Sequence, residues 1–232
     1  MLGSSRSIRR RSLTKSEKPT RQTAEQTRVA LTDTALRFFG EDGFAATSTR
    51  DIAAAAGANI ASISYHFGSK EGLRMACATM IVEKFRGLTG PAMQTVVTEN
   101  DPDGALERIE EALISIIRFL NVQPEARQIA AFMMREMGHP SPAFDLIYSE
   151  LMLPFHTAIC RLWAISTGCT ADDPATRLTV FSILGQVFYF RMAQPIVLRR
   201  MEWHTIDDDK VEQIITTITG NLRTLARAAQ ET

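Results

Sequence analysis

The stretch STRDIAAAAGANIASISYHFGSK, residues 48–70, decides the fold of the N-terminal part of the chain. Ser48, followed three residues later by Asp51, is a typical helix start, and Gly57 is a typical helix end. A second short helix is expected from about 59–67, because apolar residues recur there at helical spacing. Two short helices joined by a glycine-containing turn form a helix-turn-helix, so the stretch predicts this unit.

A longer amphipathic helix is predicted before this unit. Thr23, followed three residues later by Gln26, resembles a capping box at the start of the helix, and Gly43 is expected to end it. Between these residues, apolar side chains recur at i, i+4, i+7 and i+8, which places them on one helical face. They are Leu31, Ala35, Phe38 and Phe39.

The remainder of the chain also has a helical pattern. A long apolar-periodic segment starts at Lys70 and runs through Phe85, and no segment shows the alternation that is typical of a half-buried strand. Prolines separate the helices that follow. The sequence therefore predicts an all-α protein, with later helices at about 103–121, 124–137, 142–166, 172–194 and 207–229.

Composition divides the chain into three parts. Residues 1–22 lack hydrophobic periodicity and are predicted to be a disordered basic arm. Residues 23–69 are predicted to form the helix-turn-helix domain, and residues 70–232 a larger helical domain. Residues 1–74 hold twelve Lys and Arg against seven Asp and Glu, a net charge of +5, whereas residues 75–232 have a net charge of −5. This division favours an N-terminal part that meets a polyanion, although basic tails are also often only solvated.

Length and composition exclude several classes of protein. The chain has 232 residues, of which 45% are hydrophobic and 22% are charged, as in soluble globular proteins. No run of 18 apolar residues is present and no apolar run follows the basic N-terminus, so neither a membrane span nor a signal peptide is expected. Three scattered cysteines are too few for a disulfide framework. We therefore expect a cytoplasmic protein that does not enter a membrane.

Residues 31–73 resemble the DNA-binding domain of the TetR/AcrR family of transcriptional regulators. The resemblance rests on ALRFFGEDGFAATSTRDIAAAAGA, followed by ISYHFGSKEGL, in which many positions agree at once. The segments HPSPAFDLIYSELMLPFHTAICRLWA and FSILGQVFYFRMAQPIVLRRMEW resemble the ligand-binding half of the subgroup called CerR-like or CecR-like. The resemblance implies a regulator that binds a palindromic operator in double-stranded DNA, as a homodimeric repressor that a small-molecule ligand releases.

The family pattern, transferred position by position, places the DNA contacts on the helix-turn-helix. Arg50 is the best candidate for a two-hydrogen-bond contact to guanine, and Lys70, at the start of the next helix, for a phosphate contact. The family usually has an aromatic residue, most often tyrosine, at the position of Ser64, where it commonly contacts a phosphate. In this chain we expect that contact to be made by the shorter Ser64 side chain or by Tyr65. The predicted DNA-contacting residues are Thr49, Arg50, Asn59, Ile60, Ala61, Ser62, Ser64, Tyr65, His66 and Lys70.

The last two helices are predicted to form a dimer interface. The resemblance implies that these helices from each subunit build a four-helix contact, whereas ordinary core packing in a monomer is the alternative. The first of the two helices offers Leu178, Phe181, Gly185 and Phe188, and Gly185 is small enough for close packing. The apolar stripe of the second helix consists of Val211, Ile214, Ile215, Ile218, Leu222 and Leu225.

The resemblance also implies a pocket for a small-molecule inducer in the larger domain. Aromatic residues and methionines would line the pocket, and Arg135, His156 and Arg191 would supply polar anchors. Core packing or surface exposure is the alternative for each of these residues, and no cofactor is expected. The predicted pocket residues are Phe132, Met133, Met137, Phe155, His156, Trp163, Phe188, Tyr189 and Arg191.

Chemical motifs do not indicate an enzyme or a metal site. His156 and Cys160 are spaced to share a helical face, but no third ligand lies within sequence reach, so a core histidine beside a buried thiol is favoured. The segment FGSKEG lacks the upstream glycine spacing of a phosphate loop, and no nucleophile or zinc-protease motif is present. Two alternatives to a ligand-responsive regulator stay open: a dimeric DNA-binding protein without a ligand, and a helical small-molecule enzyme.

Overall fold

The computed structural model describes residues 21–94 and 101–231. Every regular element in these residues is helical, which confirms the predicted all-α class. Residues 1–20 of the predicted basic arm lie outside the described residues, and the last two residues of that arm begin the first helix. The helices are α1 (Arg21–Glu41), α2 (Thr49–Ala55), α3 (Ala61–Phe67), α4 (Lys70–Gln94), α5 (Pro102–Val122), α6 (Glu125–Gly138), α7 (Pro142–Ile147), α8 (Leu153–Thr167), α9 (Pro174–Met192), α10 (Gln194–Met201) and α11 (Asp208–Gln230).

Local backbone chemistry builds the helix-turn-helix. The Ser48 hydroxyl accepts a hydrogen bond from the Asp51 backbone N–H at 3.1 Å and caps α2 as predicted. At the other end of α2, Gly57 has a left-handed backbone with φ of 63°. The Ala58 N–H then returns to the Ala53 carbonyl at 2.9 Å, as in the Schellman motif that ends many helices. Only glycine adopts this backbone without strain, so Gly57 fixes the turn between α2 and α3.

The head of the molecule consists of α1, α2, α3 and the first turn of α4. Apolar faces of these four helices meet in a small core, whose members are at most 2% exposed. Burial of this kind, rather than intrinsic helix propensity, stabilises helices as short as α2 and α3. The main core residues of the head are Leu36, Phe39, Ile52, Ile63 and Leu73.

The larger domain consists of the rest of α4 and of α5–α11. Its central helix is α5, which packs against α4, α8, α9 and α11. The inner face of α5 is fully buried at Ile109, Leu113 and Ile117. Since α4 starts in the head and then packs against α5 and α7, it belongs to both parts of the molecule.

The second contact between the two parts is α6, which packs against α1. A Cβ atom added to Gly40 would lie 3.0 Å from the Ala131 side chain and from the Phe132 backbone nitrogen, so glycine permits the close crossing of α1 and α6. Arg135 donates hydrogen bonds to the carbonyls of Gly40 and Glu41, at the C-terminal end of α1. Arg135, predicted as a pocket anchor, therefore joins the larger domain to the head.

Helix boundaries differ from the prediction in the middle of the larger domain. The helix predicted over 142–166 is α7, a five-residue π-helical turn at Tyr148–Met152, and α8. A π-helical turn accommodates an extra residue without ending the helix, so apolar periodicity does not reveal it. The helix α10 was not predicted, because Pro195 indicates a helix break, whereas proline is tolerated in the first turn, where it lies here.

Two helix starts also differ from the prediction. Because α1 already includes Arg21, Thr23 lies inside that helix and is not its N-cap. The third helix begins at Ala61 and not at Asn59. The Asn59 side-chain oxygen accepts the Ala61 N–H at 2.9 Å, so Asn59 forms the turn that precedes the helix.

The apolar stripe of α11 lies inside the subunit. Val211, Ile214, Ile218 and Leu222 are at most 2% exposed, and the helix packs against α5 and α8. Leu225 is the exception and is exposed. Core packing, the alternative to a dimer contact, therefore applies to this stripe.

Within the described residues, no single helix has both the length and the apolar composition that crossing a membrane requires. Only α9 and α10 taken together meet both criteria, and the chain bends by 76° between them.

Candidate nucleic-acid interface

The helix α3 presents a polar face to solvent. Its buried anchor is Ile63, whereas Tyr65 on the opposite side is 79% exposed. The Tyr65 and His66 rings meet edge to face with 4.8 Å between their centroids, which restricts the orientation of both rings. Ser64 is exposed, and its hydroxyl has no hydrogen-bond partner among the described residues. This face therefore offers a phenol, an imidazole and a free hydroxyl to a partner.

Asn59 has a structural role beside the predicted DNA contact. Its side-chain oxygen accepts a hydrogen bond from the Ala61 N–H. Its side-chain amide nitrogen has no acceptor within the described parts of the chain, and it carries two donors that suit a phosphate or a base edge. The turn therefore holds these donors at the start of α3.

Arg50 lies in the first turn of α2 and is exposed. Its guanidinium forms no ion pair with any residue that the structure describes. A cation near a helix N-terminus is opposed by the helix dipole, and Asp51 is the residue of this turn that the dipole favours. The helix dipole therefore does not favour an arginine at this position, and the predicted contact of Arg50 with a guanine stays a prediction.

Two cations lie together at the start of α4. The Ser69 hydroxyl accepts the Gly72 N–H at 3.0 Å and caps the helix. Lys70 Nζ is 4.4 Å from the centroid of the Phe44 ring, and Arg74 Cζ is 4.6 Å from the same centroid. Arg74 is also paired with Glu136, so Lys70 and the helix N-terminus are the groups of this corner that suit a phosphate.

The ten residues predicted to contact DNA fall on α2, on α3 with its preceding turn, and on the first residue of α4. None of them is buried, so folding leaves all ten accessible. Phe44 and Arg74 were missed, because only the tertiary fold brings them beside Lys70. The exposed members of the predicted set are Arg50, Asn59, Ile60, Ala61, Ser64 and Tyr65, and the half-buried ones are Thr49, Ser62, His66 and Lys70.

The residues predicted for a ligand pocket are divided among the core, the surface and two cavities of the described part of the chain. Phe132 and Trp163 are buried in the core, whereas Met137 and Tyr189 are exposed. His156 lines a cavity between α8 and α9, and Tyr189 lines a groove between α9 and α11. A ligand role for any of the nine stays a prediction. The other four, Met133, Phe155, Phe188 and Arg191, are half-buried.

His156 and Cys160 form a structural pair. The His156 Nε2 atom lies 3.2 Å from the Arg177 carbonyl oxygen, and Nδ1 lies 3.6 Å from the Cys160 sulfur. Because a carbonyl only accepts, Nε2 carries the proton, and Nδ1 then accepts from the thiol. Across residues 21–94 and 101–231, no three or more His, Cys, Asp or Glu side chains are grouped to hold a metal ion.

The head has the features of a helix-turn-helix DNA-binding protein. A capped helix and a glycine turn lead to a second helix with an exposed polar face, and a cationic helix N-terminus follows. In this class of protein the second helix enters the major groove, and neighbouring helix termini bind the phosphates.

Sequence comparison identifies the family. Residues 31–77 match the bacterial regulatory proteins of the tetR family, and residues 105–229 match the C-terminal domain of the HTH-type transcriptional dual regulator CecR. The chain is 37% identical over 204 residues to the HTH-type transcriptional dual regulator CecR of Shigella flexneri, which covers 85% of this chain and 90% of that protein. The chain therefore belongs to the TetR family of transcriptional regulators, with a C-terminal domain of the CecR type. It is a DNA-binding regulator of transcription and not an enzyme.

Solved structures agree with this fold. AibR, in complex with isovaleryl coenzyme A and operator DNA, has a TM-score of 0.63 at 19% identity, covering 84% of this chain and 96% of AibR. SCO4454, a TetR-family transcriptional regulator from Streptomyces coelicolor, has a TM-score of 0.65 at 16% identity, covering 90% of this chain and 92% of SCO4454. The likeness extends over both the head and the larger domain.

Proposed function

We propose that this TetR-family regulator is a homodimeric repressor that acts in the cytoplasm. Its two heads bind the two halves of a palindromic operator, and a small molecule bound in the larger domain lowers the affinity for that operator. The observation that carries the proposal is the surface of the head, where an unpaired Arg50, an exposed Tyr65 and the Lys70 corner lie on successive helices.

The predicted DNA-contacting residues have complementary chemistry. Arg50 supplies a planar donor pair for a guanine edge, and Tyr65 supplies a hydroxyl that reaches outward. Lys70 supplies a positive charge at a helix start, where backbone N–H groups also point at an anion. We assign base contact to Arg50 and phosphate contact to Tyr65 and Lys70.

A dimer is supported by an exposed apolar stripe on α9. Leu178 is 69% exposed and Tyr189 is 52% exposed. Together with the exposed Ser182 and Gly185, they follow helical spacing along one face. A groove of about 410 Å³ between α9 and α11 borders this face. Large apolar side chains beside a groove favour a self-complementary contact, and the two small residues allow close approach of the partner's helix.

A ligand response is supported by the connection between the two parts of the molecule. The helix α4 runs from the phosphate corner of the head into the larger domain, and α6 holds the end of α1 through Arg135. A ligand changes operator affinity only if it binds one arrangement of the heads more tightly than another. AibR, which shares the fold, was crystallised with both isovaleryl coenzyme A and operator DNA.

Selection of bound sequences from a random DNA pool tests this function. We expect a palindrome whose half-sites are separated by roughly one turn of DNA, about 10 base pairs, because a two-fold dimer presents two identical heads. Enrichment of a single asymmetric site would contradict binding of two half-sites by a homodimer. A promoter fusion carrying the selected palindrome should lose expression when the protein is present, and unchanged expression would rule out the repressor role.

A further inference from the structure

A second site lies between the π-helical turn, α8 and the start of α9. These elements line a cavity of about 340 Å³ that is open to solvent and is within the range of small-molecule sites. Tyr148 and Leu153 form one side, and Phe181 forms another. The other residues that line it are His156, Thr157, Cys160, Arg161, Ala171, Asp172 and Arg177, so polar and charged groups also face the cavity and their pairing limits what can bind.

One wall of the cavity is fixed in place. The two hydrogen bonds of His156 use both of its ring nitrogens, one toward Arg177 and one toward Cys160. The His156 ring faces the Phe181 ring with 4.1 Å between centroids and 32° between planes. Burial raises the pKa of the Cys160 thiol, so the thiol keeps the proton that it donates to His156. The hydrogen bonds therefore orient the His156 ring, which presents an aromatic surface to the cavity together with Phe181.

The cavity carries one positive charge that no residue in the described parts of the chain neutralises. Arg177 also lines the cavity, but its guanidinium is paired with Asp172 at 2.8 Å. Arg161 lines it too, and forms no ion pair with any residue that the structure describes. Because the charges of Arg177 and Asp172 offset each other, Arg161 supplies the unpaired charge of the site. A ligand with a single negative charge matches it, and a carboxylate also fits the two-pronged geometry of a guanidinium.

The cavity is connected to α4 through the π-helical turn. Tyr148 is the first residue of that turn, and Glu150 lies two residues further on. Arg86 of α4 donates from Nη2 to the Glu150 carbonyl at 2.9 Å and to its carboxylate at 2.7 Å. A ligand that displaces Tyr148 therefore moves a segment that is bonded directly to the helix that starts at Lys70.

We propose that this cavity binds a small aromatic carboxylate, with its ring between Tyr148 and the His156–Phe181 wall and its carboxylate on Arg161. The bound ligand shifts the π-helical turn and, through Arg86, the position of α4. The effect on operator binding through α4 rests on the proposed function, because it requires a head that binds an operator. Binding of the carboxylate in the cavity does not.

Titration calorimetry of the full-length protein tests the site, with 2-naphthoate as the probe and 2-naphthamide as its neutral counterpart. We expect 2-naphthoate to bind and the amide to bind at least roughly tenfold more weakly, because the amide cannot pair with a charged guanidinium. Arg161→Gln should reduce the affinity for 2-naphthoate by roughly tenfold or more and leave that of the amide unchanged. Arg199→Gln, which changes an exposed arginine on α10 outside the cavity, is the matched control.

Absence of 2-naphthoate binding, equal affinities for the two probes, or an unchanged affinity in Arg161→Gln would overturn the site. A cavity filled by the partner subunit would give the first of these results. Tyr148→Ala provides a second check, since it should weaken both probes by removing one aromatic wall.

Operator binding tests the connection separately. Saturating 2-naphthoate should lower the affinity of the protein for its selected operator, and Arg86→Gln should retain 2-naphthoate binding while losing most of that change. If 2-naphthoate binds and operator affinity is unaltered, the connection to α4 is wrong and the site stands. If the protein selects no DNA sequence, the proposed function fails, and the calorimetric result still decides the site.

Discussion

Arg74 on α4 and Glu136 on α6 form an ion pair between the head and the larger domain. The Arg74 Nε and Nη2 atoms lie 2.7 and 2.6 Å from the same carboxylate oxygen, Oε1. The Ser141 hydroxyl donates to the other oxygen, Oε2, at 2.6 Å. The Glu136 side chain is only 3% exposed, and these two partners satisfy both of its oxygens. This pair and the Arg135 contacts to α1 give α6 two attachments to the head.

Arg74→Ala should lower the free energy of unfolding by about 3–5 kcal/mol, because it leaves a buried carboxylate without a counter-ion. Replacing both partners with leucine should restore most of the lost stability, since neither charge is then buried. Urea unfolding measures both effects. Arg118→Ala is the control, because its pair with Glu212 is more than half exposed and should contribute only about 0–1 kcal/mol. Equal losses for the two alanine variants would show that the Arg74–Glu136 pair is not buried in solution.

Arg50→Ala should alter sequence preference. Loss of a guanine contact removes about 1–3 kcal/mol of discrimination at one base pair of each half-site, with little effect on random DNA. Binding assays with operator variants at each position measure this change. An equal loss on operator and random DNA would assign Arg50 to the phosphates instead.

Lys70→Ala and Tyr65→Ala should weaken binding to all DNA sequences. Each removes a phosphate contact, and the Lys70 variant should reduce the slope of log affinity against log salt by about 1. Titrations over a range of salt concentrations measure the slope. Lys70 also lies over the Phe44 ring, so Phe44→Leu is the control for loss of that contact without loss of charge. A salt slope that is unchanged in Lys70→Ala would remove Lys70 from the phosphate contacts.

Variants of Asn59 separate its two roles. Asn59→Ala should lower the free energy of unfolding by about 1 kcal/mol, because the Ala61 N–H loses its acceptor. Asn59→Ser keeps an acceptor oxygen and removes the two amide donors, so it should preserve stability and still weaken operator binding. Thermal unfolding and DNA titration of both variants give the comparison. Full operator affinity in Asn59→Ser would limit this residue to its structural role.

Gly185→Arg tests the α9 face. A Cβ at this position meets no atom within 4 Å, so the subunit itself should tolerate the change, while a large charged side chain blocks close approach of a partner. We expect the protein to sediment as a monomer and to bind a palindrome with lower affinity. Gly87→Arg is the matched control, because that glycine also has open space around it and lies on α4, away from the stripe. A Gly185→Arg protein that stays dimeric would exclude this face as the interface.

The amino-acid sequence by itself determined the helical class, the family and the helix-turn-helix. These depend on short-range chemistry: a serine cap, a glycine with a left-handed backbone, and apolar residues at helical spacing all act over a few neighbouring positions. The candidate DNA-contacting residues could be predicted for the same reason, because one continuous stretch carries nearly all of them. Local signals were less reliable at Pro195, since proline suits both a helix break and a helix start, and at the π-helical turn, which adds a residue without ending the helix.

Only the tertiary structure decided which surfaces are covered and which side chains meet. The spacing of Ile214, Ile218 and Leu222 reveals an apolar face but not what packs against it, and the fold buries that face while it leaves Phe181 on α9 exposed. Arg74 and Glu136 are 62 positions apart, so no sequence pattern relates them. Periodicity describes one helix at a time, whereas burial, charge pairing and cavities arise from the contacts between helices.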